Sequence, residues 1–188
     1  MTKGEALRDR TAAAIIDSAA KVLAARGAAA SMEEIAGAAG VGRATVYRYF
    51  PNREQLAGAM AAASVQELAV RIEQADLPSV PFEEAVARLS RVIVATGSKY
   101  VYLSRDGVRH SEEQPGFDEK VLEPIRALFR RALADGALRA DVPPDLLLDL
   151  FSGLTKGAIE AVGSGRRGIE EAAAAVTTLL LEGTLTHR

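Results

Sequence analysis

The side chains best suited to chemistry are concentrated in one short run, R-A-T-V-Y-R-Y-F, from Arg43 to Phe50. Arg43 and Arg48 carry planar guanidinium forks, and Thr45, Tyr47 and Tyr49 carry hydroxyls. These are the groups that phosphate oxygens and base edges accept hydrogen bonds from. On a helix, Val46 and Phe50 are four residues apart and share one face, which assigns both to the core. Arg43, Ala44, Thr45, Tyr47 and Arg48 then point elsewhere. Neighbouring tyrosines flanked by arginine are a poor choice for an ordinary solvated face. The chemistry they suit is contact with a nucleic-acid groove.

A helix bearing such groups needs a partner helix to hold it, and the preceding residues supply one. Ser31-Met32-Glu33-Glu34 has the spacing of a capping box, so a short helix is expected over 31–39. Ala36 is small enough to let a second helix come close, and Gly40 can take the positive φ that a sharp turn requires. Two short helices joined by a glycine turn make a helix-turn-helix. Behind them a first helix is expected over 8–26, with Ile15, Ala19, Val22 and Leu23 on one face and Gly27 ending it. Pro51-Asn52 ends the third helix, and Asn52 can cap a fourth.

The rest of the chain also reads as helix, rich in Ala, Leu, Arg and Glu, with no run of alternating β-branched residues. Leu77-Pro78-Ser79-Val80-Pro81 marks the clearest boundary. Helices are expected over 82–96, 99–105, 118–134, 143–162 and 169–186, with Gly97 weakening the first of these and 111–116 a loop. Pro124 is tolerable only near a helix start. The fold class is therefore all-α, with an N-terminal three-helix helix-turn-helix DNA-binding domain over 1–55 and a second helical domain over 56–188, to which the family resemblance described below assigns effector binding and dimerisation.

Bulk composition narrows the alternatives. The chain has 188 residues, no cysteine and two histidines, His110 and His187, which excludes disulfides and thiolate chemistry and gives no histidine cluster for a metal. There is no apolar run of membrane-spanning length and no signal-peptide core, so a cytoplasmic protein is expected. Net charge is −2, yet residues 1–60 hold eight Lys/Arg against six Asp/Glu, which leaves the excess acid in the remainder. No nucleophile–base pair, metal-ligand spacing or glycine-rich phosphate loop argues for an enzyme, and no cofactor is expected.

The run T-V-Y-R-Y-F-P-N-R-E-Q-L, from Thr45 to Leu56, and I-A-x-x-A-G-V, from Ile35 to Val41, resemble the signature of the tetracycline-repressor (TetR) family. The resemblance covers about residues 10–60. It implies that Thr45, Tyr47 and Tyr49 contact phosphates or the groove, and that Ser31 touches phosphate. It also implies that Arg53 clamps the DNA backbone and that Arg43 and Ala44 read bases. Arg43 can pair bidentately with guanine, and Ala44 can meet a thymine methyl. Arg48 completes the candidate DNA-binding set. Gly42 departs from the family, which often has Ser or Thr there; glycine offers no side-chain oxygen to a phosphate.

Beyond residue 60 the likeness is one of length and helical layout. Two apolar stripes, Leu146 to Val162 and Ala172 to Gly183, are broader than one core contact needs, so the last two helices are expected to form a homodimer. The resemblance implies an operator of double-stranded DNA with two-fold symmetry, and a small-molecule effector that releases it. Candidate residues for the effector are Leu89, Ile93, Tyr100, Leu103, Phe129 and Phe151, with Arg105, His110 and Arg126 as polar handles. An aromatic fraction of 5% gives little support to a large flat aromatic ligand. A chromosome-organising DNA-binding protein with a fully packed middle section is the alternative.

Overall fold

A computed structural model describes residues 3–105, 114–139 and 141–184. Its helices in chain order are α1 (Lys3–Arg26), α2 (Met32–Ala38), α3 (Arg43–Tyr49), α4 (Arg53–Gln74), α5 (Phe82–Lys99), α6 (Val101–Arg105), α7 (Glu123–Ala134), α8 (Pro144–Gly163) and α9 (Ile169–Thr184). The fold is all-α with an N-terminal helix-turn-helix. Two compact units divide it. The first holds residues 1–64 together with 99–111, and the second holds 65–98 with 112–188. The division thus falls inside α4 rather than at 55/56, and a segment from mid-chain returns to the first unit.

In the first unit, α1 and the α2–α3 pair enclose a core of Ile15, Ala19, Leu23, Ile35, Val46, Phe50, Leu56 and Met60, all buried. Tyr100, Tyr102 and Leu103, from the α5–α6 junction and α6, complete it. Three corners follow from local chemistry. Gly27 takes φ +59 and starts a 3₁₀ turn over Gly27–Ala29. Gly40 takes φ +67, the left-handed conformation that a residue without Cβ adopts at little cost. Asn52 accepts the Gln55 amide through Oδ1 at 2.8 Å, which caps the start of α4.

In the second unit α5, α7 and α8 bring Phe82, Phe129 and Phe151 together. Ring centroids are 5.8 Å apart for both Phe82–Phe129 and Phe129–Phe151, in tilted and edge-on geometries that aromatic quadrupoles favour. Leu89, Val86, Leu128 and Leu147 fill the space around them. α8 and α9 pack along one another, and Val94 of α5 meets Ala172 and Ala173 of α9. Arg131 of α7 fixes the α4–α5 connection by donating to the carbonyls of Leu77, Pro78 and Val80 at 2.9, 3.0 and 3.3 Å.

Two expected boundaries move. α5 continues through Gly97 to Lys99, and Gly97 is there for packing: a Cβ at that position would lie 2.3 Å from Ile159 Cδ1. The segment expected as one helix over 118–134 begins instead with a π turn over Asp118–Leu122, and Pro124 sits in the first turn of α7. Proline is tolerated in the first turn of an α-helix.

Candidate nucleic-acid interface

The capping box at the start of α2 forms as its spacing predicts. Ser31 Oγ accepts the Glu34 amide at 3.2 Å, and Glu34 accepts the Ser31 amide at 2.8 Å. That backbone hydrogen bond is the main reason the Glu34 carboxyl sits below its ordinary pKa, and Arg26, ion-paired with it, adds to the effect. The folded-state value is depressed, so this contribution to stability is complete above the ordinary glutamate pKa of 4.5 and is lost as pH falls through the lower folded value. Replacing Ser31 by Ala removes a cap and is expected to cost about 1 kcal/mol, measurable by denaturant unfolding at neutral pH. An unchanged midpoint would mean that the box contributes nothing here. The Ser31 hydroxyl also bonds the Glu34 carboxylate, which lowers the Glu34 pKa further, so a contact from Ser31 to phosphate would exchange that bond.

α3 presents two faces. Val46 is fully buried and Phe50 nearly so, whereas Arg43, Ala44 and Arg48 are exposed. Thr45, Tyr47 and Tyr49 lie at the margin, half-buried, with both tyrosine rings packed against the core. Two guanidiniums lie over tyrosine rings: Arg43 over Tyr47 at 5.4 Å and Arg48 over Tyr49 at 5.6 Å from the centroids. Such stacking pre-orients flexible cations at the surface for small cost. Arg43 is also paired with Glu33 of α2, Nη1 to Oε1 at 2.6 Å. Gly42 caps α3 with no side-chain hydrogen bond.

Arg53 is placed differently from the rest. Its guanidinium faces into the first unit, where Nη1 donates to the Ala30 carbonyl at 2.6 Å and Nη2 to that of Gly27 at 3.3 Å. Nε and Nη2 also donate to the Tyr102 hydroxyl at 3.2 and 2.8 Å. Tyr102 is itself buried. This arrangement ties the start of α4, the α1–α2 corner and α6 together. It is the geometry of an internal bolt rather than of a clamp reaching out to phosphate. Neither Tyr102 nor Glu33 carries a sequence signal for these roles, since each is defined by a partner on another element.

The described members of the expected effector set fall in different clusters. Leu89, Phe129 and Phe151 are buried in the core of the second unit, where Ile93 is half-buried, while Tyr100 and Leu103 belong to the core of the first. Arg126 is paired with Asp118 at 2.8 Å on the surface. His110 and the side chain of Arg105 lie outside the described residues. A cleft of about 710 Å³ occurs elsewhere in the second unit, between α4 and α7. Ala69, Val70, Ile72, Leu77, Pro124 and Leu128 wall it, with Gln66, Glu73, Asp76, Lys120 and Arg131 as its polar groups.

Residues 15–60 match the family model described as bacterial regulatory proteins, tetR family. The HTH-type transcriptional repressor LfrR of Mycolicibacterium smegmatis is 35% identical over 184 residues, which span 95% of this chain and 93% of that protein. The chain belongs to the TetR family. It is a TetR-type transcriptional regulator, and the α2–α3 pair is its helix-turn-helix. The HTH-type transcriptional regulator NfxB of Pseudomonas aeruginosa is 26% identical over 157 residues, or 82% of this chain and 84% of that one. Among solved structures, TetR-like LfrR in complex with proflavine superimposes with a TM-score of 0.75 at 30% identity, covering 95% of this chain and 99% of that one. The TetR family regulator PfmR of Thermus thermophilus superimposes at 0.71 with 22% identity, covering 93% and 99%, which shows the shared fold. Among the described residues no helix is long and apolar enough to cross a membrane, and no acidic, histidine or cysteine cluster could hold a metal.

Proposed function

We propose that the protein is a repressor that binds a palindromic operator as a homodimer and leaves it when a small molecule binds. The observation that carries the DNA-binding part is the division of α3 into a buried Val46–Phe50 face and an exposed Arg43–Ala44–Arg48 face. Arg43 and Ala44 read bases; Ser31, Thr45, Tyr47, Tyr49 and Arg48 meet the backbone. The kinship with LfrR, named a repressor, supports the sign of regulation.

Dimerisation through α8 and α9 is supported by what those helices leave uncovered. Leu146 and Leu150 of α8 are about half exposed, Leu179 of α9 is 60% exposed, and Gly153 and Gly157 continue the same α8 stripe with open space above them. A second copy would bury them and set two recognition helices about one DNA turn apart.

For the effector we propose the α4–α7 cleft, which has the volume of a small-molecule site. Its walls are aliphatic, so a ligand of the proflavine kind would be held by apolar contact and by Glu73 and Asp76 rather than by aromatic stacking. Occupancy changes DNA binding only if the ligand prefers one conformation of the protein.

Selection from random duplex DNA at near-physiological salt tests the reading. The expected result is an enriched palindrome with half-sites about 10 base pairs apart, or a multiple of that spacing. Salt-sensitive binding without enrichment would instead support a chromosome-organising role.

A further inference from the structure

We propose that Glu33 is a specificity-determining residue: it holds Arg43 in the free protein and withholds that arginine from non-specific DNA. The proposal rests on the reading of α3 as the DNA-recognition helix.

Glu33 stands in the first turn of α2, a helix start fixed by the Ser31–Glu34 box. Its carboxylate meets Arg43 at 2.6 Å, while the same guanidinium lies over the Tyr47 ring. Arg43 is therefore held on two sides at the N-terminus of the recognition helix. Both partners stay open to water, with side chains 63% and 49% exposed for Arg43 and Glu33. An ion pair so exposed is weak and exchanges readily. It can be given up for a better partner, and it need not be given up for a poor one.

The two kinds of DNA complex differ in what they offer Arg43. At a matching site a guanine edge presents O6 and N7 in the geometry of the guanidinium fork, and the bidentate pair replaces the carboxylate. In the non-specific complex the protein is held by phosphate, which meets Arg43 without fixed geometry. Glu33 then keeps Arg43 neutralised, and its own charge repels any phosphate that approaches. The non-specific complex loses one counterion-releasing contact, while the specific complex keeps its base contact. Discrimination improves by weakening the wrong complex.

The test is the salt dependence of binding of Glu33→Gln to a random-sequence duplex, compared with a matching site from the selection. The expected result is a slope of log K against log salt that steepens by about 0.9 on the random duplex, with affinity there about 5-fold higher near 0.15 M salt. Binding to the matching site changes less, so the ratio of the two falls. In an Arg43→Ala background the effect of Glu33→Gln should vanish. A gain that persists in that background would make Glu33 a diffuse charge effect and overturn the proposal, as would an unchanged slope. Arg43→Ala alone separates the two readings. If it leaves base preference intact, the assignment of Arg43 as base reader fails; if it relaxes preference and Glu33→Gln changes nothing, only the role of Glu33 fails. Both residues are exposed, and unchanged helicity and unfolding midpoint will show that neither variant has misfolded.

Discussion

Arg53→Ala is expected to destabilise the DNA-binding unit and to weaken DNA binding without changing the salt slope. The guanidinium serves the carbonyls of Gly27 and Ala30 and the buried hydroxyl of Tyr102 at once. Removing it takes a charged donor from the Ala30 carbonyl and the Tyr102 hydroxyl where water has limited access; the Gly27 carbonyl keeps the Ala30 amide. Charge-assisted hydrogen bonds of this kind are worth about 1.5–3 kcal/mol, and we expect a total loss of about 2–3 kcal/mol because the arginine is only partly buried. For a chain of this size that lowers Tm by about 4–12 °C. Operator binding falls because the α1–α2 corner, which sets Ser31 and the start of α2, is no longer tied to α4. A phosphate clamp, the role implied by family resemblance, predicts the opposite pattern: an unchanged Tm and a salt slope reduced by about one. Arg53→Lys sharpens the contrast. Lysine keeps the charge and would preserve a clamp, but a single ammonium cannot reach two carbonyls and a phenol together. Tyr102→Phe should reproduce part of the stability loss, and its effect should shrink in an Arg53→Ala background. Thermal unfolding beside a salt titration of the same variants decides between bolt and clamp.

The contrast between Arg53 and α3 shows what the sequence could reveal. Val46, Phe50 and the S-x-x-E box express local rules, a helical period and a cap, so the recognition helix and its support were readable residue by residue. Gly40 was readable because the turn demands positive φ. Gly97 was not: its apparent weakening of α5 is answered by Ile159, more than sixty residues away, which fills the space a Cβ would take. Whether Tyr100 and Leu103 line an effector site or fill a core is illegible in the sequence for the same reason. Their apolar character fits either core, and only tertiary contact assigns them to the first unit. The phosphate role that the family resemblance implies for Arg53 rests on a motif, and a motif carries no record of the Gly27 and Ala30 carbonyls and the Tyr102 hydroxyl that the guanidinium meets. Apolarity along α5–α8 does not distinguish a residue that lines a pocket from one that fills a core. Leu89, Phe129 and Phe151 serve the second core, while the cleft lies where α4 and α7 stay apart, a property of helix placement with no sequence period.

The second large effect is expected at the surface of α9. Leu179→Glu should convert a dimer of about 40 kDa, twice the 19.8 kDa chain, into a monomer, and operator affinity should fall by about 100-fold or more. Leu179 is the most exposed large apolar side chain among the described residues. Leucine offers water nothing, and burying one against a second copy contributes about 1.5–3 kcal/mol. A carboxylate at the same place in a two-fold interface is worse than the loss of that contact. Symmetry brings its counterpart from the other subunit close by, and neither charge would find a partner in an apolar seam. The monomer should keep its fold, because the side chain contributes little to the core of its own unit. Each recognition helix would still meet a half-site, but the second contact would no longer be intramolecular, and the gain from linking the two would be lost. Sedimentation equilibrium and operator binding on the same sample provide the check. A variant that stays dimeric would move the interface away from this face of α9, and Leu150→Glu on α8 would then show whether the exposed stripe there carries it. A variant that is monomeric yet binds the full operator as tightly as before would remove the two-fold dimer from the recognition mechanism.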